Sequence, residues 1–329
     1  RPASGRQGRR APLRPEILGP ARGIGLCDRG RAGLVGVLSM SNAPLRSTQT
    51  REAAASAASD RDFEMTDADF RRVAAMVENL AGIILKDHKR QMVYTRLSRR
   101  LRAVDMHRFC DYLDLVEGPG GAAELGEFSN AVTTNLTSFF REGHHFTHLA
   151  KEVLAPLAAS GSRRLRVWSA GCSTGEEPYT IAMTALGEGA ATTGRDFRIL
   201  ATDLDTNVLA TGKAGHYPEE RLKGVSDALR RSHMTPASDG ATFNEKLKSM
   251  ISFRQLNLLH DWPFRGPFDA IFCRNVVIYF DTETKARLVN RFAEMLAPHG
   301  ILYLGHSESL LGEHSLLISE GRTIYRRRG

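Results

Sequence analysis

Apolar residues recur at intervals of three and four positions between residues 61 and 130, which is typical of amphipathic helices. In the segment that begins MTDADF, the residues Phe70, Val73 and Val77 fall on one side, and Thr66 or Asp67 precedes them as a candidate N-cap. Further helices are predicted over 86–106, 109–116 and 122–134, and the turn GPGG separates the last two. The pattern predicts a small all-α domain.

After about residue 160 the pattern changes, and short β-rich runs alternate with helical segments. The predicted strands are RLRVWSAG, FRILATDLD, FDAIFCRNVVIYF and GILYLGHSE. Helices are predicted from residue 178, from residue 206 and over 288–296. This alternation predicts an α/β domain in which helices cover both faces of a parallel sheet.

The chain therefore divides into four parts. Residues 1–60 are expected to form a disordered tail and linker, or in part an artefact of translation upstream of a start near Met40. Residues 61–133 form the helical domain, and 134–160 are a bridge and linker. Residues 161–327 form the α/β domain, with 216–253 as an inserted subdomain.

Charge is concentrated in the tail. The chain has a net charge of +8, but residues 1–39 hold eight arginines and two acidic residues, so only +2 remains for the rest. We therefore expect no nucleic-acid partner. The sequence lacks an apolar run of about 20 residues, so no membrane insertion is expected. The four cysteines show no metal-ligand spacing, which favours free thiols, no metal and a cytoplasmic location.

The first predicted strand leads into a glycine-containing turn and a helix, VWSAGCSTGEEPYTIAM. Such a turn lets a ligand approach the backbone, but the spacing GxGxxG is missing. Glu176 and Glu177 at the helix start would repel a pyrophosphate, whereas they suit a ligand with positive charge and hydroxyl groups, such as S-adenosylmethionine. The alternative is that these two acids only complement the helix dipole.

The second predicted strand ends in ATDLD, where an acid can bind the hydroxyl pair of a ribose. Asp203 and Asp205 are the candidates. The alternative role is the N-cap of the following helix, for which Asp205 is better placed.

Six segments, in this order, closely resemble the chemotaxis receptor methyltransferases, the CheR family: TNLTSFFREGHHF, VWSAGCSTGEEPYTIAM, ATDLDTNVL, NLL, PFDAIFCRNVVIYF and GHSESL. The resemblance covers about residues 62–326. It implies a small all-α domain followed by a Rossmann-like class I methyltransferase domain with a small β-subdomain insertion. It also implies an enzyme, a protein-glutamate O-methyltransferase. Such an enzyme transfers a methyl group from S-adenosylmethionine to glutamate side chains of chemoreceptor signalling helices, giving a glutamate methyl ester and S-adenosylhomocysteine.

The resemblance also implies a set of site residues. The cofactor-binding residues would be Asn135, Thr137, Arg141, Glu177, Asp203, Asn257, Leu258, Arg274 and Asn275. Asn257 and Leu258 would lie by the adenine, and Arg274 and Asn275 near the methionine end. Arg141 and Tyr279 would lie closest to the transferred methyl group, which makes them the catalytic candidates.

The remaining residues of TNLTSFFREGHHF have less specific expected roles. Phe139 and Phe140 either exclude water from the site or pack between the domains. His144 and His145 are expected to be structural, because a glutamate carboxylate is already ionised near pH 7 and needs no general base.

The basic residues of the second helix are a solvated face or a patch for an acidic partner: Lys89, Arg96, Arg99 and Arg100. In the second case they would contact the receptor helices.

Segment 216–253 looks shorter than the β-subdomain with which some family members dock a receptor pentapeptide, so that docking is doubtful. We expect a monomer. The alternatives are a non-catalytic protein that binds S-adenosylmethionine for signalling or scaffolding, and a methyltransferase for another protein substrate.

Overall fold

The computed structural model describes residues 63–160, 164–191, 195–310 and 312–329. The expectations for residues 1–60, including the basic tail, lie outside the described residues. Cys110, Cys172 and Cys273 are buried.

The first helix, α1, spans Asp67–Ala81. Thr66 is its N-cap, and a capping box joins the Thr66 side chain to the backbone N–H of Asp69 and the Asp69 carboxylate to the backbone N–H of Thr66. Gly82 ends the helix in the left-handed conformation, with φ of 64°. The prediction of this helix and of its N-cap is confirmed.

Three more helices complete the helical domain: α2 Arg90–Ala103, α3 Phe109–Glu117 and α4 Ala122–Val132. Helix α2 is shorter than predicted because Lys86 is extended and Asp87–Lys89 form a 3₁₀ turn. The four helices enclose one core, to which Val73, Leu97, Leu113 and Phe128 contribute fully buried side chains.

The predicted bridge and linker, 134–160, is largely helical. Helix α5 spans His144–His148, a π-helical turn spans Leu149–Leu154, and α6 spans Ala155–Ala159. Leu149 and Leu154 are fully buried against the α/β domain, so this segment is part of its core. The prediction gave this segment as a bridge and linker and named no helix in it.

The α/β domain contains the remaining described elements. Its strands are β1 Arg164–Ala170, β2 Asp196–Asp203, β3 His216–Pro218, β4 Met234–Ala237, β5 Gly240–Phe243, β6 Ile251–Gln255, β7 Phe268–Cys273, β8 Leu296–Leu304, β9 Leu317–Gly321 and β10 Ile324–Arg327. Its helices are α7 Glu176–Gly187, α8 Thr206–Ala214, α9 Asp227–His233, α10 Glu245–Lys248 and α11 Thr282–Met295.

Seven strands form the main sheet in the order β6-β2-β1-β7-β8-β10-β9. The first five are parallel, and β10 runs antiparallel to β8 and β9. The chain moves outward from β1 to β6 and then returns to the other side of β1, so the strand order reverses between β1 and β7. Ligands bind at such reversals in open α/β sheets. The predicted Rossmann-like architecture is confirmed.

Two predicted strands are too long. FDAIFCRNVVIYF leaves the sheet after Cys273, and Val277–Tyr279 form a 3₁₀ turn. GILYLGHSE leaves the sheet after Leu304. The predicted helix over 288–296 begins earlier, because the Asp281 side chain caps α11 through the backbone N–H of Thr284 at 2.8 Å. The apolar residues after Cys273 therefore belong to a loop at the carboxyl end of the sheet.

The small sheet is antiparallel, with the order β3-β5-β4. Strand β6 pairs with β2 of the main sheet, so the inserted segment ends before Ile251 and not at residue 253. Phe243 of the small sheet stacks on Tyr179 of α7 at 4.1 Å between ring centroids. Phe139 packs edge-on against Tyr217 at 5.0 Å.

Among the described helices, none combines the length and the apolar character that a membrane span requires.

Candidate active site

A cleft opens at the carboxyl ends of β1, β2, β6 and β7, with an empty volume of about 930 Å³ that includes the open solvent at its mouth. The C-terminal end of α1 and the bridge after α4 close its other side. All ten residues predicted for the site border this cleft: Asn135, Thr137, Arg141, Glu177, Asp203, Asn257, Leu258, Arg274, Asn275 and Tyr279.

The turn after β1 depends on glycine. Gly171 has φ of 83°, and a Cβ atom there would lie 2.4 Å from a methyl carbon of Val276. The backbone N–H groups of Gly171 and Cys172 donate to the carbonyl of Thr202 at 2.8 and 2.9 Å. The turn therefore lies close to the loop after β7, at the point where the strand order reverses, and its backbone forms the floor of the cleft.

Asp203 and Asp205 have different roles. Asp205 is the N-cap of α8, and its Oδ1 accepts the N–H groups of Asn207 and Val208. Asp203 borders the cleft and accepts the N–H groups of Ser173 at 2.8 Å and of Asp205 at 3.0 Å. Burial raises the pKa of the Asp203 carboxyl. Each carboxylate oxygen keeps a lone pair, so Asp203 can still accept hydrogen bonds from a diol in the cleft.

Asn135 ties the bridge to α8. Its Nδ2 donates to Oδ2 of Asp205 at 2.7 Å, and the hydroxyl of Thr133 donates to the same oxygen at 3.0 Å. The carbonyl of Asn135 accepts a hydrogen bond from the hydroxyl of Ser173 at 3.0 Å. Its side-chain nitrogen therefore positions the bridge, which leaves Oδ1 as the amide atom for the predicted cofactor contact.

The two acids at the start of α7 point in different directions. Glu176 is fully buried, accepts the hydroxyl of Thr174 at 2.7 Å and pairs with Arg221 of the inserted subdomain. Glu177 borders the cleft and accepts the hydroxyl of Ser169 at 2.6 Å. The expectation that both carboxylates face the ligand is wrong for Glu176, because that carboxylate anchors the small subdomain.

Arg274 is 7% exposed and holds several parts of the site together. Its Nε donates to Glu177 at 2.7 Å, and its Nη1 donates to the carbonyl of Arg141 at 2.6 Å. Its guanidinium lies 5.1 Å from the ring centre of Phe146. The contacts of Arg274 therefore fix the start of α7 and the backbone of the bridge.

His145 is fully buried below Arg274. Its Nδ1 lies 3.2 Å from Nη1 of Arg274 and its Nε2 lies 3.1 Å from the carbonyl of Arg322. Because Arg274 can only donate and a carbonyl can only accept, Nδ1 is the acceptor and Nε2 carries the hydrogen. Burial lowers the pKa of His145 to about 4, so the ring is neutral near pH 7. His145 and His144 do not border the cleft, and their contacts are structural.

Arg141 and Tyr279 lie at the mouth of the cleft. Nη1 of Arg141 donates to the carbonyl of Leu136 at 2.7 Å, which bends the side chain back over the bridge. Burial raises the pKa of the Tyr279 phenol, and the positive charge of Arg141 opposes this rise. The phenol is therefore protonated near pH 7 and available as a donor.

Four non-glycine residues with positive φ surround this region: Phe140 at 55°, Glu142 at 54°, Ser173 at 49° and Asn275 at 59°. Phe140 and Glu142 flank Arg141 on both sides. Residues in this conformation cost free energy and tend to cluster at functional sites. Strained backbone therefore lies on both sides of Arg141 in the bridge.

Glu308 is a residue to which the sequence analysis gave no role. It is 5% exposed, and its carboxylate accepts the N–H groups of Asn275 at 2.7 Å, Ile278 at 3.0 Å and Gly305 at 2.6 Å. It thus fixes the loop after β7 to the end of β8. Its place in GHSESL, just beyond a parallel strand, was the available signal.

Asn257 and Leu258 close the side of the cleft next to the helical domain. Nδ2 of Asn257 donates to the carbonyl of Leu80 at the end of α1 at 2.7 Å, and its Oδ1 accepts the N–H of Leu259 at 3.0 Å. Leu258 is 8% exposed and offers an apolar wall. Phe139 and Phe140 do not border the cleft. Phe139 packs against Tyr217 of the inserted subdomain, and Phe140 packs against Phe146 of α5. A role of these two rings in excluding water from the site is therefore not supported.

Comparison with known protein families gives two matches. Residues 135–325 match the family described as CheR methyltransferase, SAM binding domain, and residues 68–133 match CheR methyltransferase, all-alpha domain. SAM is S-adenosylmethionine. The boundary between the two matches lies at residues 133–135, at the start of the bridge that borders the cleft.

Individual relatives agree over nearly their whole length. A probable chemotaxis protein methyltransferase of Rhizobium etli is 44% identical over 259 residues, which cover 76% of this chain and 96% of the relative. The chemotaxis protein methyltransferase of Escherichia coli is 43% identical over 266 residues, which cover 79% of this chain and 91% of the relative.

The buried neutral ring of His145 predicts a specific loss of stability in acid. Its pKa is about 4 in the folded chain and near 6.5 when unfolded, so the unfolded chain binds the proton more tightly. Stability should fall as the pH drops from 6.5 towards 4, by on the order of 2 kcal/mol at pH 4.5. His145→Gln should show a shallower decline in urea unfolding between pH 7 and 4.5. Parallel declines in the two proteins would refute the assignment.

Asp203 is expected to bind the ribose hydroxyl groups of the cofactor. Asp203→Asn removes a charged acceptor, so affinity for S-adenosylhomocysteine should fall about ten- to a hundred-fold in titration calorimetry. Asp196→Asn is the matched control, because Asp196 begins the same strand at the opposite edge of the sheet and pairs with Arg166. Equal affinities for Asp203→Asn and the unchanged chain would rule out this role.

Proposed function

The chain belongs to the CheR methyltransferase family, and on that premise we propose that it methylates glutamate side chains of chemoreceptor signalling helices. The donor is S-adenosylmethionine, and the products are a glutamate methyl ester and S-adenosylhomocysteine. The observation that carries the proposal is the cleft at the reversal of strand order, with Arg141 and Tyr279 at its mouth. A site of action in the cytoplasm, beside the signalling helices, is part of this proposal.

The chemistry of the cleft suits a nucleoside without phosphates. Asp203 is an acceptor for hydroxyl groups at the end of β2, and Glu177 adds a second carboxylate on the same side. Leu256 and Leu258 supply apolar surface for a base. Arg274 offsets the charge of Glu177, and the Asp203 carboxylate favours the hydroxyl groups and positive charges of S-adenosylmethionine over the negative charge of a diphosphate.

S-adenosylmethionine supplies a methyl group on a positively charged sulfur. A substrate glutamate has an ordinary pKa of about 4.3, so its carboxylate is ionised near pH 7 and is itself the nucleophile. The residues of the cleft therefore have no proton to remove. This agrees with the position of His145, whose ring is neutral and buried and does not border the cleft.

The remaining tasks are alignment and the exclusion of water. We infer that Arg141 and the phenol of Tyr279 orient the substrate carboxylate from one side. A tight two-pronged contact with Arg141 would stabilise the carboxylate before transfer as much as during it, and would not accelerate the reaction. The hydrogen bond from Arg141 to the carbonyl of Leu136 engages Nη1 and leaves Nε and Nη2 available to the substrate.

The receptor surface predicted on α2 is smaller than the sequence indicated. Nη1 of Arg96 donates to the carbonyl of Thr133 and so caps the end of α4, and Arg100 pairs with Glu124 at 2.7 Å. Lys89, in the 3₁₀ turn before α2, and Arg99, on α2, are exposed. We therefore propose Lys89 and Arg99 as the residues that attract an acidic receptor helix.

The direct experiment is incubation of the chain with tritiated S-adenosylmethionine and membranes that contain chemoreceptors. We expect the label on a receptor band, and its release as methanol by mild alkali, because carboxylate methyl esters are labile to base. Label on another protein would indicate a different substrate. Cofactor binding without any transfer would indicate a non-catalytic protein and would refute the proposed function.

Arg141→Lys separates alignment from cofactor binding. Lysine keeps the charge but loses the planar guanidinium. Turnover on receptor should fall by about a hundred-fold or more, while affinity for S-adenosylhomocysteine should change by less than about ten-fold. Steady-state methylation and calorimetry measure the two quantities. A loss confined to cofactor affinity would show that Arg141 only binds the cofactor.

Reversal of charge at Lys89 and Arg99 tests the proposed receptor surface. The double variant Lys89→Glu and Arg99→Glu should raise KM for receptor several-fold, because it repels an acidic helix. High salt should reduce the difference, because exposed charges are screened within about 8–10 Å at physiological ionic strength. The control is Lys151→Glu with Lys213→Glu, two exposed charges on other helices. If both double variants behave alike, α2 has no special role.

A further inference from the structure

The first turn of α7 contains a carboxylate that does not reach the cleft. Glu176 is fully buried, and its Oε2 accepts the hydroxyl of Thr174 at 2.7 Å. Its Oε1 accepts a hydrogen bond from Arg221, which lies in the 3₁₀ turn Glu219–Gly224 of the inserted subdomain. A buried carboxylate costs free energy unless a cation and hydrogen bonds compensate it. The start of α7 therefore depends on a residue from outside the main sheet.

Thr174 links the two charged groups. Nη2 of Arg221 donates to the hydroxyl oxygen of Thr174 at 2.7 Å, while that hydroxyl donates to Glu176. The backbone of Thr174 is held from the same side, because the phenol of Tyr217 donates to its carbonyl at 2.7 Å. Tyr217 belongs to β3 of the inserted subdomain and is 1% exposed. Two side chains of the subdomain therefore hold Thr174.

The turn after β1, which these contacts hold, is part of the cleft. Ser173 borders the cleft, and its N–H donates to Asp203 at 2.8 Å. Gly175 has φ of 96°, and a Cβ atom there would lie 2.9 Å from the phenol oxygen of Tyr217. The turn is therefore held between Asp203 on the cleft side and the inserted subdomain on the other side.

The turn that carries Arg221 is itself packed against fixed parts of the molecule. Leu222, the next residue, is fully buried in the same core as α7. Gly224 lies against the bridge, because a Cβ atom there would be 2.7 Å from the carbonyl oxygen of Phe139. Phe139 lies two residues before Arg141 in the bridge. The position of Arg221 is therefore defined by contacts with the core and with the bridge.

We propose that Arg221 is a positioning residue for the cofactor, although it does not border the cleft. It holds the first turn of α7 through Glu176 and thereby places Glu177. Successive residues of a helix point about 100° apart, so one carboxylate is anchored in the subdomain while the next borders the cleft. This inference rests on the proposed function only for the identity of the methyl donor, so its test needs no receptor.

The two members of the ion pair differ in exposure, and this difference makes the proposal testable. The side chain of Arg221 is 36% exposed, whereas that of Glu176 is 0% exposed. Loss of Arg221 would leave an unpaired charge in the interior, whereas loss of the Glu176 charge would leave a cation that water can reach. Removal of the arginine alone should therefore disturb the turn more than removal of both charges.

Arg221→Met tests this role in the full chain, because it removes the charge and keeps an apolar stem. We expect affinity for S-adenosylhomocysteine to fall about ten-fold or more in titration calorimetry, because the first turn of α7 moves to expose the unpaired Glu176. Arg231→Met is the matched control, since Arg231 is exposed on α9 of the same subdomain. It should bind like the unchanged chain.

The second arm is the double variant Arg221→Met with Glu176→Gln. Glutamine has nearly the size of glutamate, can still accept the hydroxyl of Thr174 and carries no charge. Affinity should return to within about three-fold of the unchanged chain. A contact that only stabilised the fold would not recover, because the double variant lacks more contacts than the single one. If circular dichroism shows that Arg221→Met is unfolded, Arg221→Gln replaces it in both arms with the same expectations.

The outcomes separate this role from the proposed function. Affinity of the single variant within about two-fold of the unchanged chain, or a double variant that binds no better than the single one, would overturn the role of Arg221 and leave the proposed function intact. Normal cofactor affinities in the expected order, without methylation of any receptor, would overturn the proposed function alone. No binding of S-adenosylhomocysteine by the unchanged chain would overturn both.

Discussion

The buried guanidinium of Arg274 is the interaction on which the cleft depends. It binds Glu177 at the start of α7, the carbonyl of Arg141 in the bridge, and the ring of His145. A buried charge without these partners would be costly, so the three segments are held in one arrangement. The backbone carbonyl of Arg141 is one of the groups that Arg274 binds. The buried contacts of Arg274 therefore also determine where the proposed methyl-transfer site lies.

Carboxylates that accept backbone N–H groups hold the other loops in the same way. Glu308 fixes the loop after β7, and Asp203 fixes the turn after β1. Asp205 caps α8 and also accepts a hydrogen bond from Asn135 of the bridge. The contact of Glu308 with the N–H of Asn275 helps to offset the strained backbone of Asn275. The outcome is a rigid cleft in a molecule whose reaction requires alignment and a dry site more than proton transfer.

The sequence predicted the two folded parts and ten residues that border the cleft, because helical period, alternating strands and short motifs are local signals. The prediction from sequence failed where contacts between residues far apart in the chain determine the local structure. The apolar residues of RNVVIYF resemble a strand. However, the carboxylate of Glu308, thirty residues after Ile278, accepts the N–H of Ile278 and holds this segment as a loop. Similarly, Arg96 and Arg100 read as a free basic face, whereas the carbonyl of Thr133 and the carboxylate of Glu124 engage them. The pairing of Glu176 with Arg221 could be seen only in the folded chain.

The most direct test of this account is the single-turnover rate of methyl transfer by Arg274→Lys at saturating S-adenosylmethionine and receptor. Lysine keeps the charge but cannot bind Glu177 and the bridge carbonyl in the same planar geometry. We expect a rate at least about a hundred-fold below that of the unchanged chain. Arg72→Lys, which alters a surface ion pair with Asp114 in the helical domain, should transfer at the normal rate. A normal rate for Arg274→Lys would contradict the claim that this buried contact aligns the site.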